Sequence, residues 1–573
     1  MHTSAHHDHP PLSLERKPHA PRSPAVFRAH RSRTPEAGCR STGAEIGANG
    51  KIVTVDDRFS VQQAVAVADG KIIAVGSDDE ALAAGGAGAE VTDLRGATVI
   101  PGLIDNHNHF VRGTVHWPSE VRLDGVTSRE EVLARLRDRV AALKPGDWLL
   151  TLGGWHTGQL HGDRSDLTLA ELDAIAGDHP AFIQAGYSHA FGNTALLSAL
   201  GTEIPGLVRD DDGRPTGRIN GGIVSLNAIA ARFPEPAGDT DHHRANGVRA
   251  AAAHYNSVGL TSVFDPGGVA VPESAYDHVA ALASRGELTL RVFTTLGDAT
   301  NATTPEQARH IIDRINSSSP FQGDHFYDRL AVGEVFYAPF HWDHPFVPPS
   351  PAEKDVAAAD EILRAAAYGG WPVQTHSITG EGLDLVLSAY ERASEVRPIR
   401  ALRWSLTHAE GITAGQVERA RRMGVALQIR SMGVIGGQER AIAEHGAEFV
   451  RARPPLRMIA GSGLAWGLGT DGSKASQVNP FITLWWAVTG NGLGGEVAVS
   501  STLSREEALI AHTRSNAWLM FQEGYIGAIR PGLRADLLVL DRDYLTVPAD
   551  EIKDIRPVAT IVDGTVVYGA LPS

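Results

Sequence analysis

Eight short apolar runs, separated by stretches of helical periodicity, constrain this chain more than any other feature. They are Thr98–Phe110, Thr261–Pro266, Leu288–Leu296, Leu330–Tyr337, Pro372–His376, Arg403–His408, Val425–Arg430 and Leu464–Asp471. Helix patterns such as Glu361–Tyr368, Gly382–Ala393 and Ala414–Met423 lie between them. Strands alternating with helices imply a parallel β/α architecture. Eight of them predict a closed (β/α)8 TIM barrel over residues 98–523. The span from Val111 to Leu260 is too long for a βα loop, so 111–260 is expected to contain a cap inserted after the first strand.

Both ends of the ordered region read as β. Lys51–Val55, Gln63–Val67, Lys71–Val75 and Glu90–Leu94 are short strand-like runs, with Gly70 and Gly76 at turn positions. Ala535–Leu540 and Ala559–Tyr568 have the same texture, and Asp563-Gly564 is a hairpin turn signal. One small β-sandwich built from 45–97 and 524–573 is the expectation. Residues 1–44 differ from the rest, with Pro10, Pro11, Pro18, Pro21, Pro24, Pro35, many histidines and few apolar residues. They read as a disordered leader.

The bulk numbers exclude several functions. Of 573 residues, 42% are apolar and 21% charged, enough to bury a large core. Lys plus Arg total 52 against 67 Asp plus Glu, a net charge of -15, which argues against nucleic acid as a partner. Cys39 stands alone, so neither an internal disulfide nor a thiolate cluster can form, and a metal would need His and carboxylate ligands. No apolar run reaches about 18 residues, which predicts no membrane span, and no signal-peptide pattern opens the chain, so a cytoplasmic location is expected. Association into a homo-oligomer is compatible with the sequence, which does not set the number of copies.

Chemistry-bearing residues fall at the ends of the apolar runs. The first closes on His107 and His109, the fourth carries Glu334, the fifth and sixth end at His376 and His408, and the eighth ends at Asp471. Residues two apart on a strand share a face, so His107 and His109 can converge on one ion. Barrel enzymes place reacting groups at these strand ends, and imidazole with carboxylate is the usual ligand set of a catalytic zinc site. An apolar strand that ends in an inward polar group needs a partner for it. On the eighth strand, alternation points Ala465, Gly467 and Gly469 inward with Asp471, leaving room near the axis, while Trp466 and Leu468 face the outer helices.

These contexts resemble the amidohydrolase superfamily. Pro101-Gly102-Leu103-Ile104-Asp105 before the two histidines is similar to its first-strand signature. Ile526-Gly527-Ala528-Ile529-Arg530-Pro531-Gly532, followed by Ala535-Asp536-Leu537, is similar to its closing segment. Thr407-His408-Ala409-Glu410 and Gly469-Thr470-Asp471-Gly472 resemble the third amidohydrolase family, which includes N-substituted formamide deformylase. The resemblance implies hydrolysis by metal-activated water, with His107, His109, Glu334, His376 and His408 holding metal. It implies that Asp471 moves the proton, or alternatively orients a ligand histidine. Many relatives carry a carboxylated lysine on the fourth strand, but no lysine lies between Phe321 and Pro351 here. Glu334 takes that place, and its shorter reach predicts one firmly held ion, zinc by its ligands, and a second held more weakly.

The substrate is the least constrained element. Gly154-Trp155-His156 and Tyr187-Ser188-His189 in the inserted segment are polar-aromatic groups suited to lining a pocket, with Trp155 and His189 the named candidates and His189 equally suited to a structural role. Arg430 is a candidate for pairing with a substrate carboxylate, the alternative being a salt bridge to a loop acid. The expected reaction is cleavage of an amide-type C–N bond in a small molecule such as an N-acyl or N-formyl amine. Deamination or ester cleavage on the same scaffold, and a non-catalytic metal-binding regulator, are the rival readings.

Overall fold

Eight strands, parallel within two sheets, place the polar residues singled out above at or beyond their ends. A computed structural model describes residues 44–234, 240–268, 271–297, 302–344 and 346–572. The leader expected over 1–44 lies outside the described residues except for Ala44. The eight strands are β1 (Leu103–Asp105), β2 (Leu260–Asp265), β3 (Arg291–Thr295), β4 (Tyr327–Ala331), β5 (Gln374–Ser377), β6 (Ser405–His408), β7 (Ala426–Arg430) and β8 (Trp466–Gly469). They form two four-stranded sheets, ordered β4-β3-β2-β1 and β5-β6-β7-β8, and every neighbouring pair is parallel. Isolated parallel bridges join the sheets at both pairs of edges, Val332 to Val373 beyond β4 and Asn108 to Gly472 beyond β1 and β8.

The helices between the strands follow their predicted patterns. Ala414–Met423 has the expected bounds, begins at a Thr413 capping box and stops at Gly424, whose φ of 74° suits a left-handed cap. Glu353–Gly369 and Gly380–Val396 extend the other two patterns by about a turn or more at their N-terminal or C-terminal ends. Their apolar faces join one large cluster with the outward residues of the strands, including Leu406, Leu427 and Leu468.

Two expected strands depart most from the observed ones. Thr98–Phe110 is broken into Thr98–Pro101, which belongs to a terminal sheet, and β1. Gly102 sits at the break, where a side chain would collide with Thr261 on β2. The fourth run ends at Ala331 rather than Tyr337, so Glu334 lies in a turn just beyond the strand. Its backbone remains tied to the neighbouring strand ends, with its amide donating to Pro266 and its carbonyl accepting from His376.

The small residues of β8 have a specific neighbour. A side chain at Gly467 would collide with Asn516, and one at Gly469 would lie 2.6 Å from Asn106 Oδ1. Asn516 uses that space: its amide donates to the carbonyls of Ile104 on β1 (2.6 Å) and Leu468 on β8 (2.7 Å). Ala517 and Met520 beside it pack with Ile104, Phe264, Phe293 and Leu330.

Between β1 and β2 the chain builds a separate sheet of five strands. Its order is Leu207–Arg209, Pro215–Asn220, His189–Gly192, Ala181–Ala185 and Leu149–Leu152, with its own apolar clusters on either side. At the ends of the chain, Lys71–Gly76, Ala64–Ala68, Glu45–Ala48 and Glu90–Asp93 form one sheet. A six-stranded sheet mixes Lys51–Val53, Val61–Gln62 and Thr98–Pro101 with Leu537–Leu540, Pro557–Val562 and Thr565–Gly569. The two share a cluster that includes Ile52, Val65, Ile72, Val99, Leu537 and Ala559. Asp563 and Gly564, with φ of 54° and 79°, turn the last hairpin.

A buried ion pair fastens β3 to the terminal sheet. Arg291 donates to both carboxylate oxygens of Asp536 at 2.7 Å, and both side chains are almost fully buried. Arg291→Met should destabilise the protein by about 3–5 kcal/mol, because it leaves a buried carboxylate without its counter-charge. Arg291→Met combined with Asp536→Leu should recover much of the loss. Denaturant unfolding reads both, and a single-variant loss below about 1 kcal/mol would show that the pair is not what joins the two regions.

Candidate metal centre

The strand-end residues meet around one carboxylate. Glu334 Oε1 lies 2.9 Å from His376 Nδ1 and 2.9 Å from His408 Nε2. The same oxygen is 3.7 Å from His107 Nε2, and Oε2 is 3.7 Å from His109 Nε2. Two groups of potential ligand atoms result, His107 with His109 and Glu334, and Glu334 with His376 and His408. Asp471 Oδ1 lies beside the first, 3.3 Å from His109 Nε2 and 3.7 Å from His107 Nε2.

Outer contacts aim the imidazoles. The carbonyl of Gly267 accepts from His109 Nδ1 at 3.0 Å, which leaves the Nε2 lone pair facing the two carboxylates. His376 directs Nε2 at the carbonyl and carboxylate of Asp343, 3.0 and 3.2 Å away, leaving Nδ1 towards Glu334. Asp343 is itself fixed by the amides of Ile378 and Thr379 and the Thr379 hydroxyl. The backbone turns sharply where the groups must converge: His408, Ala409 and Asp471 have φ of 73°, 53° and 57°. Left-handed geometry is uncommon for such residues and concentrates at functional sites.

The donor set fits a divalent cation. Both ring nitrogens of His107, and Nδ1 of His408, are buried with no hydrogen-bond partner, which an apolar or purely structural role leaves unexplained. Burial pulls the His107 imidazole down to about 4 and the His408 imidazole to about 3, so both are neutral as ligands must be. Burial also opposes the charged form of His376, but hydrogen bonds to Asp343 and Glu334 outweigh it and push that imidazole up to about 10. For Glu334 burial is outweighed by His107, His376 and His408, which hold its carboxyl well below the usual range. Asp471 is likewise held low, with burial outweighed by His109 and Arg430.

The three expected substrate contacts fare differently. Arg430 lies at the site, but its guanidinium is committed to Glu410 and Asp471, each at 2.6 Å. The salt bridge left open as the alternative is therefore the observed arrangement, and it fixes Asp471 Oδ2. Trp155 is not at the cavity: it is fully buried in the inserted module, where its indole donates to the carbonyl of Gln184 at 2.8 Å. Its bulk and single donor are satisfied by packing there. His189 lies behind the cavity wall, with Nδ1 2.8 Å from Ser188 Oγ and its ring against His156 and Phe191. Beside His109, Glu334, His376, His408, Arg430 and Asp471, the cavity is lined by residues that strand alternation does not single out. They include Arg112, His156, Tyr187, Trp342 and Met432.

A model of the amidohydrolase family, Amidohydro_3, matches residues 90–568. The chain belongs to the amidohydrolase family. It is 26% identical over 565 residues to the N-substituted formamide deformylase of Arthrobacter pascens, spanning 91% of this chain and 97% of that one. A metal-dependent hydrolase from Pyrococcus furiosus superposes with a TM-score of 0.61 at 22% identity, over 88% of this chain and all of that one. A zinc-bound adenosine deaminase from Xanthomonas campestris superposes with a TM-score of 0.51 at 15% identity, over 91% and 92% of the two chains. No helix among the described residues is long and apolar enough to cross a membrane.

With its imidazole pushed up to about 10, His376 would have to give up a proton near neutral pH to hold a metal ion. Apparent zinc affinity should therefore rise with pH through the neutral range, approaching about tenfold per unit while one proton is released per ion bound there. Calorimetry in buffers of different ionisation enthalpy counts that proton. A pH-independent affinity would mean that His376 is not a ligand.

Proposed function

We propose that the chain hydrolyses an amide-type C–N bond of a small molecule, such as an N-acyl or N-formyl amine, using two divalent ions bridged by Glu334. In this reading the two four-stranded sheets are halves of one closed (β/α)8 barrel, with the inserted module as its cap. The observation that carries the proposal is the position of Glu334, whose one carboxylate belongs to both histidine pairs. A glutamate so placed supplies directly the bridging carboxylate that a lysine would need carboxylation to provide. Zinc suits the nitrogen and carboxylate donors, and the deaminase of similar fold was solved with it bound. Bound there, such ions lower the pKa of water from 15.7 towards about 7 and polarise a carbonyl.

The chain's own groups do the rest. Asp471 has one oxygen pinned by Arg430, so Oδ1, facing His107 and His109, is the oxygen that accepts the proton of the attacking water. Arg430 and the histidines keep Asp471 ionised before the reaction, and the proton it takes passes to the departing nitrogen. Glu410 anchors the far side of Arg430 and so sets the angle of that carboxylate. A cavity of about 480 Å³ opens over these groups, a size suited to a small substrate. The activity named for the Arthrobacter relative is of the same bond class.

Asp471→Asn should lower kcat by about 10²–10⁴-fold on any amide the enzyme hydrolyses while retaining its metal. Metal analysis beside a panel of amides, scored for released amine or ammonia, decides this. Near-normal turnover with full metal occupancy would remove Asp471 from the proton's path. Release of ammonia from ring substrates alone would move the assignment to deamination. Glu334→Gln should lose one equivalent of metal, since a neutral amide is a poor ligand, and bicarbonate should not restore it. Unchanged stoichiometry would leave Glu334 as a hydrogen-bonding partner of the histidines rather than a bridge.

A further inference from the structure

Arg112 stands two residues beyond the start of the short helix Phe110–Thr114, which directly follows the paired histidines of β1. Its side chain reaches the cavity wall, and Nε, Nη1 and Nη2 are all buried without a hydrogen-bond partner. This contrasts with Arg430, whose donors are taken by Glu410 and Asp471, and with Arg122, which donates to Glu120 and Asp124. Asp265 at the end of β2 is close enough for Arg112 to bias it, but its oxygens accept from the Val111 and Gly267 amides. A buried guanidinium left unpaired is costly, because its hydration is lost and nothing replaces it.

Arg112 adjoins the reacting centre. A methyl group placed on Gly268 would lie 3.1 Å from His109 Cε1 and 3.3 Å from Arg112 Nη1, so one small group spans the two. Tyr187, from the inserted module, lies over the same guanidinium at 5.7 Å from ring to Cζ, and its hydroxyl is also buried and unpartnered. Burial pushes the Tyr187 phenol up to about 12, so it stays a donor through the neutral range. Burial, and then Arg112 itself, pull the Lys474 ammonium down to about 8. Apolar side chains face the same space: Ile223, Trp342, Ile378, Met432 and Ile435.

We propose that Arg112 and Tyr187 form a receptor for a carboxylate of the substrate, making the favoured substrates N-acyl amines that carry a carboxylate and an apolar side chain. The guanidinium can take a planar carboxylate through two parallel hydrogen bonds, and the Tyr187 hydroxyl supplies a further donor. The inference rests on the proposed hydrolysis only for where the scissile bond sits. Recognition of the carboxylate itself does not depend on turnover.

Two probes separate these points. The first is binding of 3-phenylpropanoate, with 3-phenylpropan-1-ol as its neutral counterpart, to the metal-loaded full-length protein by calorimetry. Arg112→Met should weaken the carboxylate roughly 10- to 100-fold and leave the alcohol unchanged. Tyr187→Phe should weaken it less. Arg112→Lys should fall between, since it keeps the charge and loses the paired geometry. The melting temperature of Arg112→Met should be equal to or above that of the parent, because no hydrogen bond within the protein is lost and a buried unpaired charge is removed; a clear fall would indicate a structural role and overturn the receptor. The second probe compares N-acetylphenylalanine with N-acetylphenylalaninamide, where the free acid should have the higher kcat/KM and lose that advantage through KM in Arg112→Met. Carboxylate affinity unchanged by Arg112→Met would refute the proposal. Arg112-dependent binding without hydrolysis of either compound would support the receptor and count against the amide-cleaving reading.

Discussion

Everything at the site depends on a single carboxylate shared by four imidazoles. Glu334 accepts from His376 and His408 at 2.9 Å, and lies 3.7 Å from His107 and from His109. These residues come from the ends of β1, β5 and β6 and from the turn after β4, drawn from both four-stranded sheets. The bridges from Val332 to Val373 and from Asn108 to Gly472 bring the sheets' edges together, and this closeness makes the shared carboxylate possible. The cluster is costly without a cation, since two neutral imidazoles keep buried nitrogens with no partner.

The surrounding architecture holds that geometry steady. Asn516 ties β1 to β8 through the space that Gly467 leaves. Gly267 and Asp343 fix the ring orientations of His109 and His376. Arg291 and Asp536 fasten β3 to the sheet that joins both chain ends. These contacts are buried or nearly so, where a wrong partner or a missing one is expensive. Rigidity of this kind is what a site needs if ligand atoms are to sit within tenths of an ångström of their productive places.

Much of this was legible in the sequence because it follows from strand periodicity. Strands β2, β3 and β5 to β8 match apolar runs, and His376, His408 and Asp471 fall at or just beyond strand ends, where such groups converge. The spacing of His107 and His109 indicated a shared focus, and the glycines of β8 indicated space, although not that Asn516 fills it. Boundaries failed where an apolar run outlasts its hydrogen-bonded partner: Thr98–Phe110 crosses from one sheet to another, and Val332–Tyr337 continues as a turn. The pocket wall is only partly legible, because strand periodicity does not govern it: His156 and Tyr187 of the two polar-aromatic groups reach the cavity. Trp155, a candidate for lining the pocket, packs in the core instead, while Arg112, three residues past His109, carries no pattern at all. Only its buried and unpaired guanidinium distinguishes it, and that is a property of the folded chain.

The central claim is that Glu334 bridges two ions, and its most direct test is a crystal of the zinc-loaded protein measured on either side of the zinc absorption edge. The account predicts two anomalous peaks about 3.5–4 Å apart. One should be bound by His107 and His109, the other by His376 and His408, with one Glu334 oxygen on each. A single peak, or two peaks with the Glu334 carboxylate turned away from both, would contradict it.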